Sequence, residues 1–160
     1  MKTRILTTIL ALFAIATAAQ AQFGGGRGRE GNPYIISTTD HWTELANNVN
    51  GGTYYRDTYF RLDADLDFTG KTFTIIADQN VYDDADFDGY FNGNGHTISG
   101  VTIDRTEPGM GKSAYIGLFG RISSRAIVEN LTLSNSTIKG RQAVGGIVGW
   151  MVSRPLGAEE

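Results

Sequence analysis

The residues best suited to chemistry are aspartates that recur at every second position in two segments. In the first segment, Asp84, Asp86 and Asp88 precede a glycine and match the first six positions of a calcium-binding loop. Carboxylates two residues apart can converge on one hard cation, and the glycine allows a sharp turn. Gly95 stands at the twelfth position, where a bidentate glutamate is required, and no helix pattern follows. The spacing excludes an EF-hand and leaves two alternatives, a looser calcium loop or a solvated acidic turn.

The second segment is the row Asp63, Asp65 and Asp67, which alternates with apolar residues. On one strand face these carboxylates would lie about 7 Å apart, and carboxylate pairs at such distances hydrolyse glycosidic bonds. A half-buried strand also needs polar residues on its outer face, which is the simpler interpretation. The two histidines, His41 and His96, fit structural roles beside a helix cap and a strand start. Since no coherent catalytic set emerges, we predict that the protein is not an enzyme.

Composition excludes several classes of protein. The chain has 160 residues, no cysteine and a formal net charge of −3. Without cysteine there is neither a disulfide framework nor a thiolate metal site. Slight acidity argues against nucleic-acid binding, which uses a basic surface. Glycine makes up 21 of the 160 residues, about twice its usual share of roughly 7%, and the length suits one domain.

The N-terminal segment, residues 1–21, is predicted to be a secretory signal peptide. An apolar run over residues 5–16 follows two basic residues, and an Ala-x-Ala pattern ends at Ala21. The run is shorter than the about 20 residues of a membrane span, so we expect cleavage after Ala21 and no membrane span in the mature chain. A cysteine-free exported protein of this kind is typical of bacteria, secreted or at the outer cell surface. Residues 22–33, which are rich in glycine, are predicted to be a flexible lead-in.

The elements that must position these residues are short strands with one helix. Asp40 is the expected N-cap of a helix over residues 40–49, in which Trp42, Leu45 and Val49 share one face. Between residues 60 and 68, apolar and charged residues alternate, which predicts one half-buried strand. Further apolar runs between glycine and asparagine turns predict strands over residues 71–77, 96–104, 115–120, 127–133 and 144–149.

Two pairs of segments repeat along the chain. Residues 98–103 align with residues 128–133, and residues 114–120 align with residues 143–149. Two segments that repeat at nearly one spacing indicate a solenoid, and the missing helix pattern excludes helical repeats. Short apolar strands between tight turns favour an all-β protein, a β-helix in which each coil stacks on the last.

Four segments carry a family pattern: FDGYFNGNGHTISGVTID (87–104), AYIGLFG (114–120), NLTLSNSTIKG (130–140) and AVGGIVG (143–149). In them the chain resembles the GLUG-repeat proteins, secreted or surface β-solenoids of Bacteroidetes that also occur beside IgA-peptidase and adhesin modules. The resemblance spans residues 34–150 and implies a right-handed parallel β-helix whose short helix caps the first coil. Such solenoids usually continue for many coils, so the polar tail, residues 151–160, is either a minimal cap or the mark of a C-terminal truncation. An uncapped end would allow self-association.

These observations favour a non-catalytic extracellular or cell-surface module that acts by adhesion, binding a glycan or a protein surface. Tyrosine suits glycans because its apolar ring carries a polar tip, and the candidates are Tyr54, Tyr55, Tyr59, Tyr82, Tyr90 and Tyr115. The alternative is a carbohydrate-active β-helix enzyme or the ancillary domain of a secreted protease. The enzyme requires the two aspartate rows to meet in one cleft.

Overall fold

The computed structural model describes residues 22–81, 84–107 and 114–152. The predicted signal peptide and residues 153–160 of the predicted tail lie outside the described residues. Within the described segments the chain forms thirteen short strands and one α-helix, so the predicted all-β class with a single short helix is confirmed. None of the helical structure in these segments is both long and apolar enough to cross a membrane.

The helix α1 and the strands follow one another in this order: β1 Tyr34–Ile36, α1 Thr39–Asn50, β2 Tyr59–Leu62, β3 Leu66–Asp67, β4 Tyr90–Asn92, β5 Thr97–Ser99, β6 Thr102–Asp104, β7 Ala114–Ile116, β8 Phe119–Ile122, β9 Ile127–Glu129, β10 Thr132–Ser134, β11 Thr137–Lys139, β12 Gln142–Val144 and β13 Val148–Met151.

The strands associate in several small parallel sheets. One sheet has the order β1-β2-β4-β9, a second has the order β10-β5-β3, and three pairs are β11-β6, β12-β7 and β13-β8. Strands β9 to β13 therefore pair, in order, with β4 to β8. Apolar residues meet across the pairs, as where Phe60 lies beside Phe91, Phe91 beside Val128, and Ile103 beside Ile138. The right-handed β-helix itself remains a prediction.

The register of the predicted repeat is correct over only part of one of its two segments, because Ala114 pairs with Gln142 and not with Ala143. Phe119 pairs with Val148, as the alignment of residues 114–120 with 143–149 requires. Ile98, however, pairs with Leu133 rather than Val128, so the alignment of residues 98–103 with 128–133 is wrong. Both strands that flank a corner carry apolar residues, so the spacing of apolar residues alone does not show which of the two strands a segment forms.

The helix closes the core on one side. Thr38 is its N-cap, because its side chain accepts a hydrogen bond from the His41 amide at 3.2 Å; Asp40, the predicted cap, lies within the first turn. The predicted inner face is confirmed, since Trp42, Leu45 and Val49 are fully buried. The Trp42 ring lies within 5.5–6.5 Å of four phenylalanine rings, those of Phe68, Phe73, Phe91 and Phe119.

Most predicted strands differ from the structure, since residues 96–104, 115–120, 127–133 and 144–149 each span parts of two short strands. Residues 60–68 form β2 and β3 with a corner between them, because the chain turns after Leu62 and Leu66 then pairs with Ile98. Residues 71–77 form no named strand; Ile76 makes a single parallel bridge to Phe119. Ile75 and Ile76 are nevertheless buried, so the segment contributes side chains to the core and few backbone pairs.

The lead-in, residues 22–33, is folded, which corrects the prediction that it is flexible. Phe23 is 6% exposed, and its ring packs edge-on against those of Tyr34 and Phe60. The Gly28 carbonyl accepts a hydrogen bond from the Tyr59 amide at 3.0 Å. Gly28 has φ +67°, and a Cβ there would lie 2.6 Å from the Tyr34 ring. The glycines therefore allow close contact between chain segments here.

Candidate functional site

Polar and charged side chains line a surface cleft of about 320 Å³, which we call the aspartate cleft. It contains the three aspartates of the predicted calcium loop together with three arginines. Its lining residues are Tyr54, Arg56, Asp84, Asp86, Asp88, Arg121, Ser123, Ser124, Arg125 and Val152. The acidic segment thus lines a mixed-charge cleft, in which Asp88 is buried and Asp86 is half-buried, while Asp84 is an exposed turn residue.

The two inner carboxylates of the aspartate cleft each face an arginine. Asp88, with 7% of its side chain exposed, accepts a hydrogen bond from Arg56 Nε at 2.9 Å and another from the Ser123 hydroxyl. Asp86 Oδ1 lies 3.0 Å from Arg121 Nε. Within the described ranges, no three histidine, aspartate or glutamate side chains are arranged to hold a metal ion. Calcium binding by Asp84, Asp86 and Asp88 stays a prediction.

Asp86 has the most perturbed environment in the aspartate cleft. Burial raises the pKa of its carboxyl, Arg121 opposes the rise, and the neighbouring Asp88 and Asp84 add to it. Although Arg121 is close, Asp86 Oδ1 is buried without a hydrogen bond, so the contact is a charge interaction without directed N–H donation. The fold therefore favours the protonated form of this carboxyl compared with an exposed aspartate.

The second aspartate row is used for local contacts. The pKa of each of its three carboxyls is lowered, in each case chiefly by hydrogen bonds. The donors are Arg61 for Asp63 at 2.7 Å, the Thr97 amide for Asp65 at 2.9 Å, and, for Asp67, the Thr69 side chain first and then the Thr69 amide at 2.9 Å. His96 Nδ1 also lies 3.0 Å from Asp65. None of the three lines the aspartate cleft, so the two rows do not meet there.

A second surface, the tyrosine groove, has a volume of about 460 Å³. Strands β2, β4 and β9 provide most of its surface, and residues 30–33 of the lead-in contribute the rest. Its lining residues are Glu30, Gly31, Pro33, Tyr59, Phe60, Arg61, Tyr90, Phe91, Asn92, Ile127 and Glu129.

Two rows of side chains cross the outer face of these strands. Alternate residues of a strand share one face, so Tyr59 and Arg61 point outward while Phe60 between them is buried. The register continues each row on the next two strands, giving an aromatic and apolar row of Tyr59, Tyr90 and Ile127, and a polar row of Arg61, Asn92 and Glu129. The rings of Tyr59 and Tyr90 stack with centroids 4.3 Å apart and planes 12° from parallel.

Negative charge dominates the tyrosine groove. Glu129 accepts a hydrogen bond from the Asn92 amide at 3.0 Å, and among the described residues Glu30 forms no hydrogen bond or ion pair. Arg61 is held by Asp63 through two hydrogen bonds of 2.7 and 3.0 Å. The pKa of Tyr59 is raised, first by burial and then by the charge of Glu30.

The structure separates the tyrosines that the sequence grouped as glycan-binding candidates. Tyr59 and Tyr90 meet in the groove, whereas Tyr55 packs against Phe23 and Phe60 in the core. Tyr115 lies beside Trp150, Tyr54 lines the aspartate cleft, and Tyr82 lies outside the described residues. The arginines of the aspartate cleft were not predictable from the sequence, because Arg56 reaches Asp88 across 32 residues of chain and no local pattern marks such a pair.

Comparison with known proteins finds relatives that are much longer than this chain, and a solved structure with a similar fold. No family model matches the chain. It is 34% identical over 155 residues to a "Putative Gly-rich membrane protein" of Evansella cellulosilytica, which covers 91% of this chain and 16% of the relative. It is also 34% identical over 133 residues to "Halomucin" of Haloquadratum walsbyi, covering 78% of this chain and 1% of that protein. The chain therefore spans less than a fifth of each relative.

A solved structure shares the fold. The crystal structure of "a putative immunoglobulin A1 protease" from Bacteroides ovatus superposes with a TM-score of 0.51 at 20% identity, over 73% of this chain and 30% of that one. This neighbour agrees with the IgA-peptidase context of the predicted family. The assignment to the GLUG-repeat proteins themselves stays a prediction, because no family model matches.

Proposed function

We propose that the chain is a non-catalytic adhesion module of the cell surface or extracellular space, which binds a glycan through the tyrosine groove. We further propose that its strands are coils of a right-handed parallel β-helix. The pairing of β9 to β13 with β4 to β8, in order and all parallel, supports stacked coils. The relatives' names, a membrane protein and a halomucin, agree with an extracellular location.

The observation that carries this proposal is the pair of side-chain rows in the tyrosine groove. A sugar ring presents apolar C–H faces and a rim of hydroxyls, and a tyrosine presents an apolar ring with a polar tip. The neighbouring polar row offers a guanidinium, an amide and a carboxylate, which can donate to and accept from hydroxyls. The groove volume of about 460 Å³ also falls within the range of roughly 300–1,000 Å³ that is typical of ligand sites.

The test is a glycan-array screen of the full chain, followed by calorimetric titration of the best ligand. We expect Tyr59→Ala and Tyr90→Ala each to weaken binding about tenfold, since a truncated aromatic contact at a binding site costs more than about 1 kcal/mol. The matched control is Tyr54→Ala, which removes an exposed tyrosine of the aspartate cleft and should leave the affinity unchanged. Unchanged binding in both groove variants would refute the proposal.

A second candidate function is that of an ancillary domain in a secreted protease. The observation in its favour is the fold shared with part of the Bacteroides ovatus protein. This alternative predicts that the chain binds immunoglobulin A1 directly, which biolayer interferometry with the purified antibody measures. Binding to the deglycosylated antibody would favour the protease alternative, whereas binding that is lost on deglycosylation would favour the glycan site.

A further inference from the structure

Resting on the proposed glycan-binding function, we propose that the tyrosine groove selects oligosaccharides that carry free amino groups over neutral and acidic ones. Carboxylates line the groove. Glu30 and Glu129 are carboxylates on the lead-in and on β9, and among the described residues neither forms an ion pair. A bound ammonium group would give them the positive partner that the chain itself does not supply.

The cation of the groove does not offset these charges. Arg61 donates two hydrogen bonds to Asp63, so its charge is already compensated. A sugar carboxylate or sulfate would have to share the remaining N–H donors of Arg61 with a carboxylate that is already bound, and it would lie near Glu30 and Glu129. The repulsion from these carboxylates is why acidic sugars should bind worst.

The stacked tyrosines favour the same ligand. The face of a tyrosine ring is the negative end of its quadrupole and attracts an ammonium group within about 6 Å. Because each ring of the stacked pair covers one face of the other, the ammonium group would contact an outer face of the pair. The Tyr59 ring lies in the negative potential of Glu30 and Asp57, which strengthens this attraction. An amino sugar can therefore place its apolar face and its cation against the same aromatic row.

The experiment compares three oligosaccharides of equal length, made of glucosamine, N-acetylglucosamine and galacturonate. Their binding to the full chain is measured by titration calorimetry at about pH 6, where free amines are protonated. At low salt we expect the glucosamine oligomer to bind about fivefold to tenfold more tightly than the N-acetylated one. This ratio corresponds to the combined binding energy of two exposed ammonium–carboxylate contacts. The galacturonate oligomer should not bind measurably. The preference should shrink as salt screens the charges.

The decisive variant combines Glu30→Gln with Glu129→Gln, which keeps side-chain shape and removes both charges. We expect it to reduce the preference for glucosamine to about twofold or less while the N-acetylated oligomer binds as before. The control combines Glu44→Gln with Glu107→Gln, which lowers the net negative charge equally at positions outside the groove and should keep the preference.

The outcomes separate the two proposals. Equal affinity for the glucosamine and N-acetylglucosamine oligomers, or loss of the preference in the control as well, would overturn the amine selectivity and leave glycan binding in place. If none of the oligomers binds and the glycan array is also negative, the proposed function itself fails.

Discussion

Asn50, the last residue of α1, holds the helix to a core segment that belongs to no named strand. Its side chain is buried, with 7% of the residue exposed; Nδ2 donates to the Ile75 carbonyl at 2.9 Å and Oδ1 accepts from the Asp78 amide at 2.8 Å. The substitution Asn50→Ala removes both hydrogen bonds. It leaves one carbonyl and one N–H unpaired beside the core.

The size of the effect follows from those two groups. A buried backbone group that loses its only side-chain partner costs about 1–3 kcal/mol. Partial entry of water into the space left by the amide lowers the sum, and we expect about 3 kcal/mol of lost unfolding free energy. This is a large part of the roughly 5–15 kcal/mol that stabilises a typical domain, and it corresponds to a fall in Tm of about 10 °C.

Urea unfolding followed by tryptophan fluorescence measures this change, because Trp42 lies fully buried beside the same segment. The matched control is Asn47→Ala, an exposed asparagine of the same helix, which should be neutral or slightly stabilising because alanine has the higher helix propensity. If Asn50→Ala unfolds within about 1 kcal/mol of the unmodified protein, the two hydrogen bonds do not carry the attachment of residues 75–78.

Three further predictions concern packing, acid and calcium. In thermal melts, Gly93→Ala should destabilise the fold by more than about 2 kcal/mol, because the added Cβ would clash with the Asn130 carbonyl oxygen. The control Gly31→Ala should be neutral, because a Cβ at Gly31 meets nothing within 4 Å. The hydrogen bond from the Thr97 amide is the chief cause of the lowered pKa of Asp65. The contribution of the ionised Asp65 to folding stability is therefore full above its unfolded pKa of about 3.9, and it is lost as the pH falls through the lower folded pKa. Asp65→Asn should lose less stability between neutral and acid pH than the unmodified protein, and an identical loss in acid would contradict this. In the aspartate cleft the arginine contacts compete with a metal, so we expect equal Tm in calcium and in chelator, while a calcium-dependent rise would establish the predicted calcium loop.

Features encoded by local spacing were predictable from the sequence. The buried face of α1 follows from apolar residues three and four apart, and the same face is buried in the structure. The pairing of Phe119 with Val148 was also predictable, because a glycine follows each of these two residues as the second residue of its strand. Such signals need only a few neighbouring residues to be read.

Features that depend on distant partners were not predictable. The alternation over residues 60–68 continues through the corner between β2 and β3, because inward and outward positions alternate on both sides of it. The glycines of residues 22–33 indicated flexibility, yet Phe23 among them finds a pocket of aromatic rings. The stacking of Tyr59 on Tyr90 depends on a strand register that no local pattern specifies.

The ordered pairing of β4 to β8 with β9 to β13 has a consequence for how such a chain can change in length. The connection from β6 to β7 covers residues 105–113, whereas the matching connection from β11 to β12 is only Gly140 and Arg141. Strands β6 and β11, which precede these connections, pair with each other, and so do strands β7 and β12, which follow them. Insertions at this corner thus leave the hydrogen-bonded register and the core intact. The corner is a natural place for evolution, or an engineer, to graft a new loop onto the same scaffold.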